Sequence, residues 1–161
     1  MRRLRGNLKK GMSPARAIKE VNRFMIRPDS FATMDLALLD REMGQAKFYK
    51  MGAASSFLVR GAHVRPIGII PTLKLTHRSA PLALGDIIVM VSDGITEADK
   101  EDDEARWLQE ILRQIRTGRE SAETIVPRRL ARKILEEAQQ RCGCREHDDL
   151  TVLVALVEST R

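Results

Sequence analysis

The apolar residues between residue 31 and residue 91 fall into short runs separated by turn-forming residues, a pattern that predicts β-strands. Arg41–Gly44 and Gly61–Ala62 have the length and composition of hairpin turns. The run Ile87–Val91 is unbroken and rich in β-branched residues, so we predict a strand that is buried on both faces. The predicted strands are residues 31–40, 45–51, 57–60, 64–67, 73–81 and 87–91.

Segments on both sides of these strands carry apolar residues at every third or fourth position, which is the spacing of amphipathic helices. Gly11 is a predicted C-cap, and Ser13-Pro14 is a predicted helix start. A final apolar run after Asp149 predicts one more strand. Because strands and helices do not alternate, the order predicts an α+β fold with a mostly antiparallel sheet. The predicted helices are residues 2–10, 13–26, 107–115 and 121–143.

Carboxylates stand at the ends of two predicted strands. Asp93 follows the strand that ends at Val91, and Asp148-Asp149 precedes the final strand. If these two strands are antiparallel neighbours, Asp93 lies close to Asp148. Carboxylate and water oxygens are the ligands that Mg²⁺ and Mn²⁺ prefer, so the two strand ends predict part of a metal site. The ordinary alternative for Asp93-Gly94 is a turn at the end of a strand.

Four segments of the chain, Val91–Ala98, Asp148–Val154, Phe31–Asp40 and Lys50–Leu58, together resemble the metal-dependent protein serine/threonine phosphatases of the PPM or PP2C family. The similarity is to the bacterial branch typified by stage II sporulation protein E (SpoIIE), and it covers essentially the whole chain. It implies one domain over residues 1–161, with two stacked antiparallel sheets flanked by helices. No counterpart of the family's earlier Asp-Gly metal motif precedes Phe31. The resemblance therefore implies the C-terminal part of such a domain, without its first strands.

The resemblance implies hydrolysis of phosphoserine or phosphothreonine in a protein, by a water molecule that two Mn²⁺ or Mg²⁺ ions activate. The implied metal ligands are Asp93 and Asp148. Asp149 is either a further ligand or a group that touches a ligand, and Ser92 and Thr151 orient the carboxylates. The implied substrate is a phosphoprotein such as a phosphorylated anti-anti-sigma factor, in the regulation of sigma factors during sporulation.

The missing motif bears on what the chain does by itself. Each ion needs about six oxygen ligands, so we expect little or no phosphatase activity from this chain alone. The alternative function is a non-catalytic, phosphatase-like module that binds a partner. The resemblance also implies that the helices of residues 1–26 act as a regulatory switch, the alternative being helices that only cover the core. Sheet edges left without the first strands lead us to expect a homodimer, formed by pairing of the edges or by exchange of the N-terminal helices, unless the helices cover the edges.

The net charge of +6 is concentrated at the N-terminus, where residues 1–27 hold nine basic side chains and one acidic side chain. This segment has a single aromatic residue, Phe24, and its charges follow helical spacing. We therefore expect a solvated helix face or a contact with an acidic partner, and no nucleic-acid binding.

The sequence contains no run of 18 apolar residues, so no membrane-spanning segment is predicted in this chain. We expect a cytoplasmic location, either for a free protein or for the cytoplasmic part of a membrane-anchored one. Cys142 and Cys144 are then expected to be reduced thiols.

Overall fold

The computed structural model describes residues 2–25, 33–68, 74–99, 101–102, 105–117, 126–143 and 149–159. Two helices come first, followed by six strands, three helices and a last strand. The predicted α+β fold is confirmed. The elements are α1 (Arg2–Lys9), α2 (Pro14–Met25), β1 (Met34–Asp40), β2 (Gln45–Met51), β3 (Ser56–Arg60), β4 (His63–Ile67), β5 (Thr76–Pro81), β6 (Ile87–Val91), α3 (Asp93–Thr96), α4 (Arg106–Thr117), α5 (Pro127–Cys142) and β7 (Val152–Leu156).

The described strands form two sheets, with the order β1-β2-β5 in the first and β4-β3-β6-β7 in the second. All of their pairings are antiparallel, as predicted. The β1–β2 hairpin closes at the predicted turn, where the Asp40 carboxylate accepts a hydrogen bond from the Met43 amide at 3.0 Å. Gly44 has a φ of 57°, a backbone conformation that glycine adopts without steric cost.

An apolar core lies between the two sheets, and strand alternation decides which side chains enter it. On β2, Ala46 and Phe48 face the second sheet and are fully buried there, while Tyr49 faces the opposite way. Tyr49 and its neighbours on β1 pack under α1 and α2, whose buried residues include Ile18. The first sheet therefore has an apolar contact on each face. The core between the sheets is made of Ala46, Phe48, Leu58, Ile67, Ala80 and Ile88.

The second sheet is covered on its outer face by α4 and α5. Ile87, Val89 and Val91 of β6 pack against these helices, while Ile88 of the same strand faces the first sheet. Contacts on both faces explain why β6 is an unbroken apolar run, and they confirm the prediction for this strand. Leu108 on α4 is fully buried in the same cluster.

Several element boundaries differ from the predictions. The chain forms a short helix, α3, where a turn was the ordinary expectation after Asp93. In α5 the helix begins at Pro127, since proline suits the first helical turn, and the predicted start at Ser121 lies outside the described residues. The N-terminal ends of the first and fifth predicted strands also lie partly outside them. None of the described helices is long and apolar enough to cross a membrane.

Candidate metal site

The end of β6 and the start of β7 are joined side by side. The two strands pair from Ile87–Leu156 to Val91–Val152, and the backbone amide of Ser92 continues the ladder with a bond to the carbonyl oxygen of Thr151 at 3.0 Å. The predicted antiparallel neighbourhood of these two strands is therefore correct. The residues that follow Val91 and those that precede Val152 meet at one end of the second sheet.

The Ser92 side chain fastens this junction. Its hydroxyl donates to the carbonyl oxygen of Asp149 at 2.7 Å and accepts a bond from the amide of Thr151 at 2.9 Å. Ser92 precedes α3, but its hydroxyl makes no capping bond to that helix. Ser92 was expected to orient carboxylates, and in the structure it holds the backbone beside one of them. The carboxylate-bearing ends of β6 and β7 are thereby held together.

Asp93 stands at this junction on a rigid support. It is the first residue of α3, its Oδ1 accepts a bond from the Gly94 amide at 3.1 Å, and its carbonyl oxygen accepts one from the Thr96 hydroxyl at 3.0 Å. Gly94 and Ile95 are buried, which anchors the helix beneath the carboxylate. Asp93 itself is exposed, so a cation in solution can reach it.

Of the other two predicted ligands, Asp149 is described and Asp148 is not. The Asp149 backbone lies against Ser92, and the residue is exposed at the same end of the sheet as Asp93. Asp148 lies outside the described residues, so its proximity to Asp93 stays a prediction. In the described part of the chain, no three His, Cys, Asp or Glu side chains converge as a metal site. The carboxylates of Asp93 and Asp149 are nevertheless the donor type that a hard divalent cation needs.

Two acids of the segment after α3, whose charge predicts a solvated loop, make specific contacts with helices. Asp99 accepts a bond from Arg141 of α5 at 2.9 Å, and Asp102 accepts one from the backbone amide of Trp107 at the start of α4, also at 2.9 Å. The Arg141 guanidinium lies 5.2 Å from the centroid of the Trp107 ring. Asp99 and Asp102 therefore attach this segment to two helices. The signal for this role was Asp102, a helix-capping residue type just before the apolar pattern of α4.

A polar cluster between the two sheets was not predicted from the sequence. Lys50 Nζ lies 2.6 Å from Asp35 Oδ2 and donates to Ser56 Oγ at 2.9 Å, and Ser56 Oγ donates to the same Asp35 oxygen at 2.6 Å. Desolvation lowers the pKa of Lys50 below its ordinary value, against the opposing effect of Asp35. Alternation along β2 was the available signal, because it places Lys50 on the same face as Ala46 and Phe48.

Comparison with known proteins agrees with this architecture. The chain matches the family described as Stage II sporulation protein E (SpoIIE) over residues 2–158. It is 28% identical to stage II sporulation protein E of Bacillus subtilis, covering 94% of this chain and 19% of that protein. A second relative, from Priestia megaterium, is also 28% identical, over 94% of this chain and 26% of that protein. The chain thus spans about a fifth to a quarter of the length of these relatives.

Solved structures show the same fold. The phosphatase domain of SpoIIE from Bacillus subtilis, presoaked with Mn, is similar with a TM-score of 0.70 and 28% identity, over 98% of this chain and 71% of that one. A structure that joins this PP2C phosphatase domain to a fragment of its regulatory domain has a TM-score of 0.81 and 25% identity, over 98% of this chain and 48% of that one. The two sheets and their helices are therefore those of a PP2C phosphatase domain, and the chain belongs to the stage II sporulation protein E family.

Proposed function

We propose that this chain carries the metal-binding carboxylates of a protein serine/threonine phosphatase, with Asp93 and Asp148 as ligands and Asp149 as a further ligand or a neighbour of one. The observation that carries the proposal is the hydrogen-bonded junction between Ser92 and the Asp149–Thr151 backbone. It joins the strand ends that bear these carboxylates. The similarity to a phosphatase domain of SpoIIE supports the same assignment.

The chemistry follows from a cation held at this junction. A pair of Mn²⁺ or Mg²⁺ ions, when bound, lowers the pKa of a shared water so that hydroxide is present near neutral pH. Asp93 contributes a negative oxygen from the start of α3, where buried residues fix its position. The Ser92 hydroxyl bonds to the Asp149 carbonyl oxygen, which holds the backbone that bears the second carboxylate at the junction.

The proposed substrate is a phosphoprotein of the anti-anti-sigma factor type, in the cytoplasm. Asp93 and Asp149 are both exposed at the end of the sheet, which suits a substrate that is itself a folded protein presenting a phosphorylated side chain. The experiment is hydrolysis of a phosphoserine protein by the longest reading frame that contains this chain, with Mn²⁺ present. Release of phosphate that stops on chelation supports the proposal, and metal-independent release contradicts it.

We expect the 161-residue chain by itself to hydrolyse a phosphopeptide slowly or not at all in the presence of Mn²⁺. Two ions need about twelve oxygen positions, and three neighbouring carboxylates fill only some of them. Phosphate release should be measured beside the longest reading frame. Rapid hydrolysis by the chain that Asp93→Asn abolishes would contradict this expectation. A longer reading frame that binds a phosphoprotein without turnover would favour the binding module instead.

The helices α1 and α2 are proposed to act as a regulatory switch. They pack on the outer face of the first sheet through Tyr49 and partly buried residues of β1 such as Leu36. Lys50 follows Tyr49 on β2, and Asp35 precedes Leu36 on β1. Strand alternation therefore places Lys50 and Asp35 on the opposite face of the sheet. A displacement of the helices would therefore shift Lys50 and Asp35 on the face where the two sheets meet.

We expect the chain to form a homodimer through its sheet edges. Leu39 on β1 is 50% exposed and Leu153 on β7 is 52% exposed, and both strands stand at the ends of their described sheets. Unpaired edges of this kind recruit other chains. Light scattering over a concentration series should give twice the mass of one chain. Leu153→Lys should lower the measured mass toward that of a single chain. Leu84→Lys, at a turn leucine that is 72% exposed, is the matched control. A single-chain mass at every concentration would exclude the dimer.

A further inference from the structure

The Lys50 cluster is an ionic link that spans the interior of the domain. Asp35 and Lys50 are direct partners in the β1–β2 ladder, so both side chains project from the same face of the first sheet. Ser56 belongs to the second sheet, and its hydroxyl bonds to both of them. Lys50 is 5% exposed and Ser56 is fully buried. The three groups close a triangle that connects the two sheets.

A buried lysine paired with an aspartate is unusual in the apolar interior between two sheets. Lys50 lies two residues after Phe48, on the same face of β2. Oδ1 of Asp35 is buried without a hydrogen-bond partner in the described structure. A Cβ on Gly68 would approach the Lys50 side chain to 2.1 Å, so that position is kept open for the lysine. Buried ion pairs are often no more stabilising than apolar residues of the same size. A contribution to folding stability therefore does not by itself explain the cluster.

The cluster lies at the end of the domain that carries the candidate metal site. Phe57 pairs with Val89 of β6, so Ser56 lies beside the last residues of that strand. At a rise of about 3.3 Å per residue, Asp93 lies about 10 Å beyond the part of β6 that is opposite Ser56. Arg60 makes a different link at the opposite end of β3, where its guanidinium donates to the Pro81 carbonyl oxygen at 2.9 Å.

We propose that Lys50 is a positioning residue for the metal site, because its ammonium group, held between Asp35 and Ser56, fixes the separation of the two sheets at the end that carries Asp93. The inference rests on the proposed function and adds a residue to it. Without the link, the sheets remain packed through Phe48 and Leu58. The end of β3, which pairs with β6, then loses its polar connection to the first sheet, and the carboxylates at the junction bind a cation less tightly.

Two variants separate this role from folding stability. Lys50→Met/Asp35→Leu/Ser56→Ala replaces the whole cluster by apolar groups of similar size, which keeps the interior filled and leaves no buried charge unpaired. Ser56→Ala removes only the two hydrogen bonds that tie the cluster to the second sheet, and it leaves the Lys50–Asp35 pair in place. Both should unfold thermally within a few degrees of the parent chain.

The measurement is Mn²⁺ affinity, from the electron paramagnetic resonance signal of the free ion. We expect the triple variant to bind about 10-fold or more weakly and Ser56→Ala severalfold weakly, since groups that support metal ligands typically cost about 10–100-fold. Parent-like affinity in both variants would overturn the inference. Asp93→Asn distinguishes the two proposals: if it leaves the parent's Mn²⁺ binding unchanged, the proposed metal site fails. If it weakens binding while the cluster variants do not, only the role of Lys50 fails.

Discussion

Asp93→Asn is expected to weaken Mn²⁺ binding by about 100-fold or more, since groups that only support metal ligands already cost about 10–100-fold. The substitution keeps the size of the side chain and its bond from the Gly94 amide, but removes the negative charge that is proposed to bind the cation. In the longest reading frame, the same substitution should also lower the rate of phosphate release. Titration of the free-ion paramagnetic resonance signal measures the first effect.

Asp40→Asn is the control for this substitution. Asp40 is also an exposed aspartate at a strand end, with its carboxylate bonded to a nearby backbone amide in a turn. It lies at the β1–β2 hairpin, away from the junction of β6 with β7. Its replacement should leave Mn²⁺ affinity unchanged. Equal losses from both substitutions would mean that Mn²⁺ responds to overall negative charge, and the assignment of Asp93 would be wrong.

Phe48→Ala is expected to lower the free energy of unfolding by about 3–5 kcal/mol. The Phe48 ring is fully buried between the two sheets, where it contacts no water and fills the space opposite Leu58 and Ile88. Truncation loses the burial of the ring and leaves a cavity that two hydrogen-bonded sheets cannot readily close. Urea unfolding followed by circular dichroism measures the change.

Met43→Ala serves as the comparison for Phe48. Met43 is 76% exposed in the β1–β2 turn, and its side chain is expected to contribute less than about 0.5 kcal/mol. Its backbone bond to Asp40 survives the substitution. If Phe48→Ala cost no more than Met43→Ala, the two sheets would not be packed against each other as the structure has them.

The sequence was sufficient to predict most of the strands, because their apolar runs are short and bounded by turn residues. Ile87–Val91 could be placed as a doubly buried strand since both alternating sets of its side chains are apolar. The pairing of β6 with β7 was a hypothesis suggested by carboxylates at matching strand ends, and the structure confirms it. The strand patterns are local, and each one requires only a single strand to interpret.

The Lys50 cluster could not be predicted in the same way. Lys47 and Lys50 occur in one strand with the same chemistry, yet Lys47 is exposed and Lys50 is buried. Alternation alone puts Lys50 on the core face, but its partner Ser56 comes from the other sheet, and their meeting depends on how the sheets stack. The bond of Asp102 to the Trp107 amide is by contrast local, since the two residues are five positions apart in the sequence.

The central claim, that the junction of β6 and β7 is a divalent-metal site, is tested most directly by paramagnetic broadening in the ¹H–¹⁵N spectrum of the chain. Substoichiometric Mn²⁺ should first broaden the amide signals of Ser92–Gly94 and Asp149–Thr151, which meet at that junction. Asp93→Asn should abolish this selectivity. Broadening centred on the Asp40–Gly44 turn, or broadening that spreads evenly over the exposed acids, would contradict the claim.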